Sequence, residues 1–199
     1  MESVTWYDAV EFCNTLSTRE GLTPVYTLNN VTRTSSSSGG SGSVSKITAA
    51  TVSVDWTKNG YRLPTSTEWE SVTIGGANGK APGGGYQRYL YPGSDTAATV
   101  AWFSGNSNGK THEVGKRASY DSKYDLCGNV REWCWDYLAA YTSEAKVNPT
   151  GPTSGTTRVV RNGSFDTIAG WSLYNTVRGG LSPGAYDRYT GFRVARNAQ

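Results

Sequence analysis

Apolar side chains recur at helical spacing near the start of the chain. Trp6, Ala9, Val10, Phe12, Cys13 and Leu16 give one face of a helix predicted over residues 4–19. Thr5 is placed to cap it, Asp8 stands three residues later as in a capping box, and Gly21 marks its end. Residues 24–28 read as a short strand. Residues 51–56 alternate in the strand manner, with Val52, Val54 and Trp56 on one side. Between them, residues 34–45 are rich in Ser and Gly and read as a flexible surface loop. A second helix is predicted to begin at Thr65, with Glu68 completing its cap and Trp69 facing inward. Further on, the glycines of residues 75–85 imply a loop, and Tyr86, Tyr89, Leu90 and Tyr91 are expected to pack after it. Trp102-Phe103, Val114-Gly115, and residues 130–137, 158–160 and 192–194 read as strand pieces. No repeat is visible, and two short helices among many short strands predict a single α+β domain over residues 1–199.

Composition sharpens this picture. The 199 residues include 24 Gly, 7 Trp and 13 Tyr, yet only 36% are hydrophobic. Such a chain is loop-rich and fills its core with rings, here expected to be Trp6, Trp56, Trp69, Trp133, Trp135 and Phe192. A net charge of +3, without a run of Lys or Arg, argues against nucleic acid as a partner. No stretch approaches the roughly 20 apolar residues that a membrane-spanning helix needs. Met1-Glu2 runs directly into domain sequence, so no signal peptide is visible, and a trimmed form of a longer exported protein is one expectation.

Candidate chemistry is sparse. Cys13, Cys127 and Cys134 form no CxxC pair, and His112 is the one histidine, which leaves no recognisable zinc ligand set. Cys127 and Cys134 are close enough for a disulfide, but packed free thiols are the expected state. Glu68 with Glu70, and Glu132 with Asp136, are acid/base pairs in principle. Their ordinary use is to hold loops through arginines, with Arg62 and Arg131 as partners. Asn129 and Asp136 lie in oxygen-rich turns that suit calcium, without a complete ligand set. His112 is expected in a loop or at the surface. No nucleophile elbow or phosphate loop is present.

Three blocks carry a resemblance. They are residues 128–136 (GNVREWCWD), residues 158–165 (RVVRNGSF) and the closing GFRVAR of residues 191–196, preceded by RLPTSTEWE at residues 62–70. In this order they resemble the formylglycine-generating enzyme (sulfatase-modifying factor) family, which implies a variant of the C-type lectin fold from Val4 to Arg196. Active members of that family bind copper with two cysteines shortly after the turn matching Gly163-Ser164-Phe165. Those positions fall on or near Thr167 and Ser172, and no cysteine follows Cys134. Hydroxyls do not replace thiolates as Cu(I) ligands, so no cofactor is expected beyond a structural calcium.

Residues 166–190, which the resemblance places at the open face of the family, show neither helical nor strand periodicity. Variable proteins of diversity-generating retroelements are similar: they carry this scaffold without the cysteines and receive adenine-directed changes near the C-terminus. Asn codons altered in that way do not yield Lys, Glu, Gln or Met, and none of these occurs in residues 166–190. Trp171 cannot arise from such a codon and would be fixed. The expected ligand-binding residues are Asp166, Thr167, Ile168, Trp171, Tyr174, Leu181, Ala185, Tyr186, Asp187, Tyr189 and Thr190. Aromatic and small polar residues of this kind resemble an antibody paratope. The implied partner is a protein or other macromolecular surface, met at the cell surface or outside the cell, with lipid anchoring of a bacterial protein as one form. A degenerate or unrecognised enzyme of the same family is the alternative.

Overall fold

The computed structural model describes residues 2–36, 44–74, 89–120 and 122–197. Its elements follow in the order α1 (Trp6–Arg19), β1 (Tyr26–Ser36), β2 (Val44–Val54), α2 (Ser66–Thr73), α3 (Ala97–Val100), β3 (Arg131–Tyr137), β4 (Arg158–Arg161), a 3-10 turn (Trp171–Leu173), β5 (Arg178–Leu181) and β6 (Thr190–Phe192). Both main helices begin as expected. Thr5 and Thr65 accept from the backbone N–H of Asp8 and Glu68, whose carboxylates accept from the cap N–H in return.

The central sheet runs β5-β4-β3-β6, with β6 parallel to β3 and the other neighbours antiparallel. Two tryptophans lock helix to sheet. Trp6 Nε1 donates to the Cys134 carbonyl at 2.9 Å, and Trp133 Nε1 donates to the Val4 carbonyl at 3.0 Å. Both rings are fully buried, as is usual for indoles whose N–H finds a partner. Trp135 stacks on Tyr26 with centroids 5.2 Å apart and touches Trp6 and Trp56. A second cluster of Tyr91, Ala97, Val100, Ala101, Cys127 and Leu173 lies under the loops.

Several expectations need correction. β1 and β2, of 11 residues each, form a hairpin that takes in residues 34–36 and 44–45 of the predicted loop, whose residues 37–43 lie outside the described ones. The pairing continues because Thr and Val favour strands even where the neighbouring Ser does not. Residues 75–88, including Tyr86, also lie outside the described residues. Val114 is exposed in a turn and belongs to no strand, whereas Trp102 makes a single bridge to Gly128. The last strand ends at Phe192, two residues before the expected end. β5 falls where no periodicity is visible, because a four-residue edge strand gives none. Trp6, Trp69 and Trp133 are buried as expected, while Trp56, Trp135 and Phe192 are half-buried at the margin of the core.

Candidate functional site

The segment following β4 is built on a left-handed turn at Asn162. Asn162 Oδ1 accepts from the Gly128 and Gly163 N–H groups at 2.6 and 2.8 Å, and Nδ2 donates to the Gly128 and Val130 carbonyls. One buried amide thus ties the GNVREW and RNGSF blocks together. Phe165 N then donates to the Asn129 carbonyl, and Ser107 Oγ donates to the Phe165 carbonyl. Thr167 Oγ1 accepts from Ser164 N at 2.8 Å and lies 3.2 Å from Ser164 Oγ, while the Thr167 carbonyl accepts from Ser104 N. The hydroxyl at this position is therefore engaged in holding the turn. Neither it nor Ser172 offers the soft donor that copper needs, so this site does not fit the family's metal.

The rest of the segment is pinned at intervals. Leu173 is buried in the second cluster, and Tyr174 packs edge-on against Tyr91 at 5.5 Å. Asn175 is buried, with Nδ2 donating to the Tyr89 carbonyl. After β5 the chain crosses to β6: Pro183 accepts from Trp6 N, and Gly184 lies against β2. A Cβ at Gly184 would sit 2.4 Å from the Thr48 carbonyl oxygen, so only glycine fits. Lys46 Nζ lies 5.6 Å from the Tyr186 ring centre. Asp187 pairs with Arg131 at 2.8 Å and accepts from Tyr189 N at 2.9 Å. Tyr189 packs against Phe165, and Arg188 lies over both rings, donating to the Tyr189 hydroxyl at 3.0 Å. That bond, with the charges of Tyr189 and Asp166 nearby, raises the Arg188 guanidinium above its ordinary pKa.

The expected site residues divide accordingly. Asp166, Ile168, Trp171 and Tyr186 are exposed, Ile168 by 79% and Trp171 by 71%. Thr167, Tyr174, Ala185, Asp187 and Tyr189 are half-buried. Leu181 is half-buried too, but it packs on the main core opposite Arg158, at the end of β4 remote from the Gly163 turn. Thr190 is a correction: it is fully buried in β6 beside Arg131, where pairing with β3 leaves it no access to solvent. Arg188 is exposed among these residues and Lys46 and Phe165 lie against them from beneath, none of the three having been expected there. Arg188 adjoins two expected residues, but Phe165 and Lys46 arrive only through the fold.

The carboxylates act as holders. Glu68 takes a two-pronged bond from Arg62 at 2.6 and 2.7 Å. Burial pushes the Glu68 carboxyl up, but Arg62 and Thr65 outweigh it and keep the group below the usual carboxylate range. Glu132 accepts from Trp69 Nε1 and from two nitrogens of Arg193, and Glu70 pairs with the buried Arg161. Arg131 is thus not the partner of Glu132; it turns outward to Asp187 instead. Asp136 accepts from Ser66 N, and the Asn129 amide bonds the His112 backbone in both directions, so both side chains are occupied. His112 is half-buried, stacked on Trp102 at 3.8 Å with Arg117 also over that ring at 3.6 Å. All three cysteines are free and buried, and burial pushes the Cys13 and Cys127 thiols up to about 12.

Comparison with known proteins agrees with this architecture. The sulfatase-modifying factor enzyme 1-like domain matches residues 1–198. The chain is 34% identical over 155 residues to chaperone protein LppX of Paenibacillus barcinonensis, covering 69% of this chain and 51% of that one. It is 29% identical over 153 residues to the formylglycine-generating enzyme of Streptomyces coelicolor, covering 70% and 48%. It therefore spans about half the length of these two relatives. Among solved structures, Treponema denticola variable protein 1 superposes with a TM-score of 0.77 at 32% identity, covering 98% of this chain and 70% of that one. The chain belongs to the sulfatase-modifying factor enzyme 1-like domain family, in its C-type-lectin-like α+β form, and within it resembles the variable proteins of diversity-generating retroelements.

Proposed function

We propose that this domain is a non-catalytic binding module that presents a diversified surface on a rigid scaffold. The observation that supports this reading is the division of labour within residues 166–190. The backbone is tied to distant elements at Thr167, Asn175, Pro183 and Tyr189, and Leu173, Asn175 and Thr190 are buried. Between these pins, Asp166, Ile168, Trp171, Tyr186 and Arg188 reach solvent. Exposed side chains on a pinned backbone are free to change identity with little effect on the fold. The ligand is a protein or other macromolecule, since exposed rings and a guanidinium within one segment provide anchors of the type found at such interfaces. Display outside the cell belongs to the same reading. A structural calcium belongs to it as well.

The test is the genomic neighbourhood. A near-copy of the codons for residues 166–190, differing only at adenines and lying beside a reverse transcriptase gene, is the expected result. Stoichiometric copper in purified protein, with oxidation of a cysteine peptide, would overturn the reading in favour of an enzyme.

A further inference from the structure

Two clefts meet beside α2, and of residues 166–190 Arg178 borders one of them. One, of about 690 Å³, is lined by Trp56, Thr67, Glu68, Ser71, Lys146 and Asn148, among others. The other, of about 480 Å³, is lined by Asp136, Tyr137, Tyr141, Glu144 and Arg178, among others. They share Thr67, Lys146, Pro149 and Thr150, and so form one groove. An aromatic ring stands towards each end. Trp56 is braced edge-on against Trp135 at 5.7 Å, and Tyr141, 68% exposed, is backed by the Arg178 guanidinium at 3.6 Å.

The polar groups of the groove fall into two sets. Those at its base are committed: Arg62 bonds Glu68 and Asn197, Asp136 accepts from Ser66 N, and Arg178 donates to the Ala139 carbonyl. Those along its walls are not. Among the described residues, the side chains of Thr67, Ser71, Lys146, Asn148 and Thr150 have no hydrogen bond or ion pair within the chain. Hydroxyls, an amide and an ammonium between two rings match the two faces of a sugar: hydroxyls around the rim, and a C–H face that packs on a π-surface. The volumes are in the range of ligand sites. Lys146 and Glu144 place one free charge of each sign on the walls, which favours an uncharged chain. Alanine and proline supply the aliphatic lining, so a peptide would find few pockets for apolar side chains.

We propose that this groove binds an uncharged oligosaccharide, at a site separate from the exposed residues Asp166, Ile168, Trp171, Tyr186 and Arg188. The test applies the protein at about 10 μM to an array of immobilised neutral and acidic oligosaccharides, followed by calorimetry with the best-retained soluble one. Retention of neutral oligosaccharides is expected. Lys146→Ala and Asn148→Gly alter exposed side chains, the glycine keeping the left-handed backbone of that position, and each is expected to weaken binding about tenfold with the melting temperature unchanged. Ile168→Ala combined with Tyr186→Ala is expected to leave saccharide affinity as it was. The proposal is overturned if no saccharide is retained, if the groove variants bind as tightly as the parent, or if a peptide library occupies the groove instead.

Discussion

Arg158 lies between the rings of Trp6 and Tyr137, its guanidinium carbon 3.8 and 3.5 Å from their centres, with no carboxylate pairing it among the described residues. Burial lowers its pKa to about 10, partly offset by Tyr137 and other neighbours, so it remains a cation at neutral pH. Stacked in this way, an arginine is chiefly a packing residue, its charge resting on ring faces and on the Trp135 carbonyl. The thiols occupy the same interior. Burial pushes the Cys134 thiol well above its ordinary value, and the Cys13 and Cys127 thiols reach about 12. At pH 8 all three are then neutral and enclosed, and a thiol in that state is a poor nucleophile. Ellman's reagent should find no reactive thiol in native protein at pH 8 and three after guanidinium denaturation. Rapid labelling of the native protein would contradict this account of the core.

The first helix meets its neighbours through an apolar face, reinforced by side-chain hydrogen bonds. The hairpin of β1 and β2 lies along α1, with Asn14 bonded to Tyr26, Glu11 to Arg33, and Asp8 to Ile47 N. Its second strand then touches the crossing segment at Gly184. A methyl group there would meet a carbonyl oxygen at 2.4 Å, a distance that only a shift of hairpin or segment can relieve. Gly184→Ala should therefore destabilise the domain by about 1–3 kcal/mol, lowering the melting temperature by about 3–10 °C. An unchanged melting temperature would mean that hairpin and segment are not in contact. This position sets a limit on variation, since a glycine in the middle of a changeable segment is itself part of the scaffold.

For the whole molecule, the consequence is that stability and recognition reside in different atoms. Stability comes from α1 against the central sheet, from the tryptophan N–H bonds, and from the ion pairs of Arg62, Arg161 and Arg193. The exposed residues of the face contribute little to burial. Combined replacement of Asp166, Ile168, Trp171 and Tyr186 by alanine should shift the melting temperature by less than about 2 °C while abolishing binding to whatever macromolecule the parent captures. Collapse of the fold would show that these side chains are structural and would end the argument for a diversified surface.

Much of this was legible in the residues themselves. Both capped helices, the inward Trp69, the Arg62–Glu68 pair, the strands at residues 131–137 and 158–161 and the packed thiols follow from local rules, because a cap, a helical face or an alternating strand is specified by residues a few positions apart. The family blocks likewise carried the fold. Only the tertiary structure decided that Arg131 serves Asp187 while Glu132 takes Arg193, that Leu181 belongs to the core and Thr190 to its interior, and that Lys46 and Phe165 border the face. These pairings join residues tens of positions apart across a sheet whose order differs from the order of the chain. The physical reason is that solvent access in a short edge strand or crossing loop depends on what packs over it, and that neighbour is not written in its own spacing.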